Sequence, residues 1–429
     1  MRVLVKSFGC SANTADGEVL KGCLVQAGHE LACNMDEADA VVLNTCAVKG
    51  PTEDRMLELC RRVPLGKRLV VAGCLPTISL ERLQREVNPD GAVGPSSGEK
   101  IVDVVRRVMA GERVIEVGRA GSGSQPLTLP HLRSNVAVSI VPIGQGCLGN
   151  CAYCCVVLAR GKLRSYAVEE IADRVTRDLA SGAREIWITS QDAACYGRDI
   201  GVNLARLLRA LCSLAGDFRV RVGMMTPNMD DSVLDELVDA FRDPHVFKFV
   251  HLPVQSGDDQ VLRKMRRPYR AGDFKRIVET FESAMPEMTV ATDVICGFPG
   301  ETGEAFEGTL RLLEEVRPDI VNVSKFFARP GTAAASMEKE FVSHAEIKRR
   351  STLAAALARR ISFEKNKRWS GWAGEVLVDE RGKNAGSWVG RNFAYKPVVV
   401  KSADDLMGKT VHVRVTGTFP TYLGGELVE

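Results

Sequence analysis

Short apolar runs alternate with helical patterns through most of this chain, and this alternation restricts the fold more than any other feature of the sequence. In the first part, the apolar runs lie at residues 2–8, 38–44 and 68–73. Strands that are apolar throughout and separated by helices are typical of a parallel sheet covered on both faces. We therefore assign the chain to the α/β class and expect residues 1–118 to form a doubly wound parallel sheet.

The middle of the chain repeats this alternation. Six apolar runs lie at residues 135–143, 185–190, 219–225, 247–254, 288–296 and 320–328. Six strand–helix units make an incomplete version of the eight-unit barrel, whose chemistry lies at the carboxyl ends of its strands. We expect residues 132–340 to form such an incomplete (β/α)6 barrel, after a linker rich in Gly, Ser and Pro at residues 119–130.

The end of the chain has a different pattern. A long helical pattern rich in Lys and Arg is expected to connect the barrel to the last domain, at residues 341–370. From residue 371 to residue 429, short strand-like runs alternate with turns that contain glycine. That pattern is typical of a small antiparallel β-barrel.

The chain of 429 residues contains 13 cysteines, an odd number. No apolar run approaches the about 18 residues that a membrane span needs, and the start lacks a signal-peptide pattern. We therefore expect a cytoplasmic protein without membrane contact. In a reducing compartment, cysteines favour metal binding or catalysis over a disulfide framework. The net charge of +3 is too small to indicate a partner by itself.

Three of the cysteines are closely spaced in the loop after the first barrel strand. Cys147, Cys151 and Cys154 are separated by three and two residues. Thiolates at this spacing can hold three irons of a 4Fe–4S cluster, which normally has four Cys ligands, and so leave one iron open. The alternative is a set of loop thiols or part of a zinc site. By this spacing Cys155 is not a ligand, and we expect it to pack as a small hydrophobic residue.

Three further cysteines stand at the ends of the apolar runs of the predicted first sheet. They are Cys10, Cys46 and Cys74. The carboxyl ends of parallel strands form the ligand crevice of open α/β sheets. We expect the three thiols to meet there and to hold a second cluster with an open iron. The alternative is that all three are buried structural cysteines.

The run GCLGNCAYC, at residues 146–154, resembles the radical S-adenosylmethionine (SAM) superfamily. The resemblance implies that the open iron binds the amino and carboxylate groups of SAM, and that reduction through the cluster yields a 5′-deoxyadenosyl radical. The residues expected to bind SAM are Tyr153, Gln191, Asp192, Gln255, Ser256, Gly297, Pro299 and Gly300. For the run GFPGET, at residues 297–302, the alternative is a plain turn between a strand and a helix.

Two sets of three cysteines are the layout of the methylthiotransferase family, which the chain resembles over its whole length. The matching stretches are GCSAN, NTCAV, GC, GCLGNCAYC, LPVQSG, GFPGET and RPGT, at residues 9–13, 44–48, 73–74, 146–154, 252–257, 297–302 and 329–332. The resemblance implies that the six cysteines are catalytic and hold two 4Fe–4S clusters. The barrel cluster and SAM abstract a hydrogen atom, the other cluster delivers sulfur, and a second SAM delivers the methyl group.

The same resemblance makes Asn13 and Arg329 the expected substrate-binding residues. For Arg329, whose guanidinium suits an acidic group on the base or a phosphate, the alternative is a structural ion pair. Cys195 and Cys296 stand where we expect other residue types in this family. The alternatives for these two thiols are a packing role and a function beside the six predicted ligands.

The last domain resembles the RNA-binding TRAM domain. Basic and aromatic residues cluster in it and on the preceding helix: Lys348, Arg349, Arg350, Arg359, Arg360, Lys365, Lys367, Arg368, Lys383, Arg391, Lys396 and Lys401, with Trp369, Trp388, Phe393, Tyr395, Phe419 and Tyr422. Such residues suit RNA, because charge meets phosphate and rings stack on bases. The alternative, which we favour for most of the rings, is a solvated helix and an aromatic core. The partners implied are the anticodon loop of tRNA, an electron donor protein and a sulfur donor.

The resemblance also indicates the substrate. RPGT favours tRNA over the ribosomal protein aspartate that another branch of the family modifies. The runs at residues 7–18 and 250–270 look most like the archaeal and eukaryotic branch, which adds a methylthio group to C2 of N6-threonylcarbamoyladenosine at position 37. Isopentenyladenosine is the next alternative. Outside the family, the alternatives are a non-catalytic iron–sulfur RNA-binding protein and a radical SAM methylase.

Overall fold

The computed structural model describes residues 1–47, 50–118 and 125–428. Its first part is a six-stranded sheet in the order β2-β1-β3-β4-β5-β6, and all neighbouring strands are parallel. The strands are β1 (Arg2–Ser7), β2 (Glu30–Leu31), β3 (Ala40–Thr45), β4 (Arg68–Gly73), β5 (Gly91–Val93) and β6 (Val114–Glu116). The predicted strands are β1, β3 and β4. The other three escaped prediction because a run of two or three residues gives no pattern.

Helices cover both faces of this sheet. They are α1 (Ser11–Gln26), α2 (Gly50–Arg61), α3 (Cys74–Ile78), α4 (Leu80–Glu86) and α5 (Lys100–Met109). Successive strand residues point to opposite faces, so Val42 and Val70 pack in one apolar cluster with α1 and α5. Val41 and Val71 pack in a second cluster with α2 and α4. The doubly wound sheet predicted from continuous apolar runs is confirmed.

Six parallel strands form the middle of the molecule, in two three-stranded sheets ordered β11-β10-β7 and β12-β13-β14. An isolated parallel bridge pairs Val220 of the first of these sheets with Val246, which lies three residues before Phe249 of the second. The strands, with a small hairpin formed by β8 and β9, are β7 (Val138–Pro142), β8 (Gly144–Gln145), β9 (Arg164–Ser165), β10 (Glu185–Thr189), β11 (Arg219–Val222), β12 (Phe249–His251), β13 (Thr289–Cys296) and β14 (Ile320–Lys325). The incomplete barrel is confirmed, with strands shorter than the apolar runs.

The barrel helices cover the outer face of these strands, where Ile186, Ile188 and Val220 belong to the largest apolar cluster. The helices are α6 (Val156–Arg160), α7 (Val168–Ala180), α8 (Leu204–Cys212), α9 (Asp231–Phe241), α10 (Asp259–Lys264), α11 (Ala271–Ala284), α12 (Gly303–Val316) and the connecting α13 (His344–Asn366). Short 3-10 turns lie at Ala193–Cys195, Ala333–Ser336, Glu338–Glu340 and Lys367–Trp369. Because the outer face is apolar, the polar residues of the strands point into the barrel.

The last five strands close into a barrel in the order β15-β16-β17-β19-β18. They are β15 (Ala373–Arg381), β16 (Ser387–Arg391), β17 (Pro397–Lys401), β18 (Thr410–Thr418) and β19 (Leu423–Leu427). The barrel differs from the prediction in one pairing, since β17 and β19 are parallel. Its core contains Trp369 and Trp388, so these rings are structural.

None of the helices in the described part of the chain combines the length and the apolar character that crossing a membrane requires. Half of the predicted linker, residues 119–124, lies outside the described residues, as do Val48 of the NTCAV stretch and the final residue. The predicted domain limits remain predictions. The domains nevertheless touch, because Ala15 of α1 packs against Val138 and Ile140 of the barrel.

Candidate active site

One cavity of about 1550 Å³ lies between the domains. The first sheet, the barrel, α13 and the last barrel all contribute to its wall. All six cysteines of the two predicted sets line it: Cys10, Cys46, Cys74, Cys147, Cys151 and Cys154. The fold therefore brings together the two sets that the sequence places far apart.

The first set lies where parallel strands end. Cys10 directly precedes α1, Cys46 directly follows β3, and Cys74 is the first residue of α3. In a sheet that begins β2-β1-β3, the strand order reverses between β1 and β3, which is where open α/β sheets bind ligands. Gly9 has a φ of +113°, and a Cβ atom there would lie 3.1 Å from the Cys46 Sγ. The glycine therefore allows the two loops, and with them the two thiols, to approach each other.

A buried cation lies beside the first set. Arg160 of α6 donates a hydrogen bond of 2.7 Å from Nη2 to the Asp16 carboxylate. Burial raises the pKa of the Cys74 thiol to about 12, and the charge of Arg160 opposes that rise. Since a metal ligand must be a thiolate, a cluster bound here would displace the thiol proton and gain from the neighbouring guanidinium.

Asn13, predicted to bind the substrate, lines the cavity, but its side chain forms hydrogen bonds with backbone groups nearby. Its side-chain nitrogen donates to the Phe8 carbonyl oxygen at 2.6 Å and to that of Asn44 at 3.3 Å. Its Oδ1 accepts a bond of 3.5 Å from Arg160. In the structure, Asn13 thus shapes the loop that presents Cys10.

The second set lies in the loop between β8 and α6. The Gly149 amide donates a hydrogen bond of 3.1 Å to the Cys147 Sγ. A Cβ atom on Gly149 would lie 3.2 Å from that sulfur and 3.6 Å from the Cys151 Sγ, so both sulfurs face a residue without a side chain. Arg267 donates to the Cys151 Sγ at 3.0 Å, and burial raises the pKa of Cys154 to about 11. The loop fits a cluster, because its sulfurs converge and a cation offsets the charge of thiolates.

Three other cysteines lie near the cavity. Cys155 is buried, and its Sγ is 3.6 Å from the Ala47 carbonyl oxygen in the first domain. Cys195 is buried, and its thiol donates to the Asp192 carboxylate at 3.1 Å. Cys296 is buried in an apolar cluster with Phe306 and Ala354. Cys296 thus has a packing role, and Cys155 contacts the interface between the two domains.

Four of the predicted SAM-binding residues line the cavity: Tyr153, Gln191, Asp192 and Gln255. Among the described residues, no hydrogen-bond partner is found for the buried Gln191 Oε1. Gln255 has a φ of +70°, a strained backbone geometry that clusters at ligand sites. An unpaired buried acceptor and a strained residue in the same wall fit a polar ligand such as SAM.

The other four, Ser256, Gly297, Pro299 and Gly300, are not brought to the cavity wall. Ser256 is buried and accepts a hydrogen bond of 3.2 Å from the Asp258 amide. A Cβ atom on Gly297 would overlap Ile347 of α13. One on Gly300 would overlap the Lys264 side chain. Both glycines thus allow close packing around the loop, and a SAM contact at these four positions stays a prediction from the resemblance.

Arg329 forms a buried ion pair with Glu53 of α2. Glu53 also accepts hydrogen bonds of 2.9 Å from Arg82 and 3.2 Å from the Ser79 hydroxyl. The structure therefore shows the ion pair that was the alternative for Arg329. This pair joins the first domain to the segment after β14 and so helps to fix the two cysteine sets opposite each other.

Glu53→Gln is expected to lower the free energy of unfolding by about 3 kcal/mol, because it leaves the buried Arg329 without its counter-charge. Denaturation in urea under anaerobic conditions measures the change. The matched control is Glu58→Gln on the same helix, where the exposed pair with Arg62 contributes less than about 1 kcal/mol. Equal losses of unfolding free energy in the two variants would show that the buried pair stabilises the fold no more than the exposed pair does.

Sequence reasoning missed the arginines that serve the two sets. Arg267 donates a hydrogen bond to the Cys151 sulfur, and Arg160 interacts electrostatically with Cys74 and Cys10. Arg221 lines the same cavity. No spacing marks them, because an arginine near a thiol in space is not near it in sequence. Only the position of Arg160, six residues after Cys154, offered a local signal.

Comparison with known proteins gives a match for each part of the chain. The Radical SAM superfamily matches residues 141–313, uncharacterized protein family UPF0004 matches residues 2–94, and the TRAM domain matches residues 373–428. The solved structure of the radical S-adenosylmethionine methyltransferase TsrM from Kitasatospora setae, with cobalamin and a 4Fe–4S cluster bound, has a TM-score of 0.58 at 13% identity. That match covers 78% of this chain and 73% of the other. The fold and the site define a radical SAM enzyme with a second cysteine-lined centre and a TRAM domain.

The probable threonylcarbamoyladenosine tRNA methylthiotransferase of Pyrococcus horikoshii is 39% identical over 430 residues, which is 100% of both chains. The threonylcarbamoyladenosine tRNA methylthiotransferase of Xenopus laevis is 35% identical over 435 residues, covering 100% of this chain and 77% of the other. The chain belongs to the threonylcarbamoyladenosine tRNA methylthiotransferase family. It is a radical SAM methylthiotransferase, and its cofactors are SAM and two 4Fe–4S clusters.

Proposed function

We propose that this enzyme adds a methylthio group to C2 of N6-threonylcarbamoyladenosine at position 37 of tRNA, in the cytoplasm. The observation that carries the proposal is the single cavity lined by both sets of three cysteines. Two centres that face one cavity allow the atom that is activated at one centre to receive sulfur from the other. A protein that only bound RNA would not need that arrangement.

The reaction needs both centres because an aromatic C–H bond has no acidic proton for ordinary acid–base chemistry. When bound, SAM and the clusters supply hydrogen abstraction, sulfur and the methyl group. The side chains of the protein hold the clusters and SAM in position. The residues that would hold the clusters are Cys147, Cys151 and Cys154 in the barrel and Cys10, Cys46 and Cys74 in the first domain, while Tyr153, Gln191, Asp192 and Gln255 would bind SAM.

RNA access is supported at the rim of the cavity. Phe419 and Tyr422 are 42% and 36% exposed and stack on each other at 4.5 Å, and Pro420 and Thr421 between them line the cavity. Exposed rings of this kind stack on unpaired bases such as those of an anticodon loop. Arg359 of α13 lines the same cavity and is exposed.

Much of the basic character of α13 is already neutralised. Ion pairs within the described residues hold Arg349, Arg350, Arg360, Lys365 and Arg368. Arg349 pairs with Glu346 of the same helix, and the other four pair with acidic residues of the barrel. These residues therefore contribute less to phosphate binding than their number implies. The RNA contact therefore depends on the exposed rings and on Arg359.

An electron donor protein and a sulfur donor complete the proposed cycle. Reductive cleavage of SAM consumes an electron in each turnover, and a centre that delivers sulfur must be resupplied. The half-buried thiols of the second set and the exposed Cys10 lie on the cavity wall.

The test is mass analysis of nucleosides from tRNA that carries N6-threonylcarbamoyladenosine, before and after incubation with the reconstituted enzyme, SAM and a reductant. We expect a 2-methylthio product together with 5′-deoxyadenosine. Binding of tRNA without 5′-deoxyadenosine would instead indicate a non-catalytic RNA-binding protein. A product only on isopentenyladenosine, or only on a ribosomal protein, would assign the chain to another branch of the family.

A further inference from the structure

The wall of the cavity contains an arginine surrounded by aromatic rings. Arg221 lies on β11, paired in register with Trp187 of β10, and lines the cavity. Its guanidinium carbon lies 5.0 Å from the Trp187 ring centroid, 5.3 Å from that of Phe249 and 5.4 Å from that of Tyr395. Two strands of the central barrel and the last domain therefore enclose one half-buried cation.

Four other cations of the cavity wall, all buried or half-buried, have acidic partners. Arg160 pairs with Asp16, Arg329 with Glu53, Arg391 with Asp379, and Lys396 with Asp319. Arg267, which is half-buried in the same wall, donates hydrogen bonds to the Tyr269 hydroxyl at 2.7 Å and the Cys151 Sγ at 3.0 Å. For Arg221, no ion pair is found in the part of the chain that the structure describes, and its buried Nε has no hydrogen-bond partner. Ring faces attract a cation, but they do not accept the in-plane N–H bonds of a guanidinium.

The buried Glu185 carboxyl, which interacts electrostatically with Arg221, does not form an ion pair with it in the described part of the chain. Burial and the nearby Asp379 carboxyl raise the pKa of Glu185, which weakens its negative charge. One of its oxygens accepts a hydrogen bond from the Trp187 indole. The region around Arg221 therefore keeps a positive charge that faces the cavity.

Other polar groups of the same cavity wall suit the rest of an amino-acid-like ligand. The Asp293 carboxylate contacts the His251 Nε2 at 3.1 Å and accepts a hydrogen bond of 2.7 Å from the Asn322 amide. All three side chains line the cavity. They place donors and acceptors on one wall, while Phe249 and Tyr395 exclude water around the guanidinium.

We infer that Arg221 binds the carboxylate of the threonylcarbamoyl group on the target base and so determines substrate specificity. Arginine binds a carboxylate through two parallel hydrogen bonds, and an aromatic enclosure strengthens the attraction. This inference rests on the proposed function. It replaces Arg329 as the residue that recognises the acidic group of the base, because Arg329 is already paired with Glu53.

A carboxylate in this cavity has two sources, the modified base and SAM. The experiment therefore uses anticodon stem-loop RNAs that carry either N6-threonylcarbamoyladenosine or its methyl ester, and it measures kcat/KM for each RNA and the KM for SAM. With the reconstituted wild-type enzyme, we expect the ester to be processed about 10- to 100-fold less efficiently, since it loses a charged hydrogen-bonded contact. Arg221→Gln should reduce that ratio to within about 3-fold, and Arg221→Lys should retain part of it.

The matched control is Arg198→Gln, which changes an exposed arginine of the same cavity wall and should keep the wild-type ratio. Iron content and circular dichroism show whether each variant is folded, and the lysine variant gives the same ratio test if the glutamine variant loses its clusters. A wild-type ratio near one, or an unchanged ratio in Arg221→Gln, overturns the inference. A raised KM for SAM with an unchanged ratio assigns Arg221 to SAM and also overturns it. Absence of any methylthio product in the wild type would instead contradict the proposed function.

Discussion

Cys154→Ser is expected to abolish SAM cleavage, whereas Cys155→Ser keeps it. The two thiols are adjacent in sequence but lie in different surroundings. Cys154 is half-buried in the loop that carries Cys147 and Cys151, while Cys155 is buried with its sulfur 3.6 Å from the Ala47 carbonyl oxygen. Loss of a direct cluster ligand should lower the rate of 5′-deoxyadenosine formation by more than about 100-fold, beyond the loss seen when a residue next to a ligand is changed.

The measurement is anaerobic 5′-deoxyadenosine formation together with iron and sulfide content. Cys155→Ser serves as the control, and its rate should stay within about 3-fold of the wild type because serine fills nearly the same volume. Equal loss in both variants would contradict the ligand assignment. A larger loss in Cys155→Ser would show that the cluster uses a different third thiol.

Replacing Cys10, Cys46 and Cys74 together by alanine should remove the methylthio product while SAM cleavage continues. The three thiols lie at strand ends of the first domain, and the barrel set does not depend on them for its ligands. Iron content is expected to fall by about four atoms per chain, the content of one 4Fe–4S cluster. Mass analysis of the nucleosides and the yield of 5′-deoxyadenosine together give the result.

Cys23→Ala is the control for this variant, because Cys23 is buried in α1 among apolar residues of the same domain. It should keep all the iron and form the full product. Continued sulfur insertion by the triple variant would mean that the first domain is not the source of sulfur. Loss of SAM cleavage as well would show that the two centres cannot be separated.

The sequence predicted the positions of Cys10, Cys46, Cys74 and Cys147 relative to the strands because each lies at or near a strand end. Cys46 and Cys74 directly follow β3 and β4, and the carboxyl ends of parallel strands share one edge of a sheet. For that reason, a local pattern was enough to predict that Cys10, Cys46 and Cys74 would line one crevice. The same reasoning predicted the side of the barrel on which Cys147 lies.

Residues whose partners depend on how the domains pack could not be predicted. Arg329 and Glu53 meet across the interface between two domains, and no spacing in the chain records that contact. Arg221 is one polar residue in a short strand, and its significance appears only when Tyr395 of another domain is placed over it. Gly297 suggested a ligand loop in the sequence, although its lack of a side chain is explained by contact with Ile347.

The position of Tyr395 has a consequence for the order in which the enzyme matures. Its ring forms part of the wall of the reaction cavity, and its centroid lies 4.9 Å from that of Phe247 and 5.0 Å from that of Phe249. Protein synthesis proceeds from the amino terminus, so the two domains that carry the cysteine sets leave the ribosome before Tyr395 is made. A nascent or truncated chain that ends before residue 395 therefore leaves its radical chemistry open to bulk water.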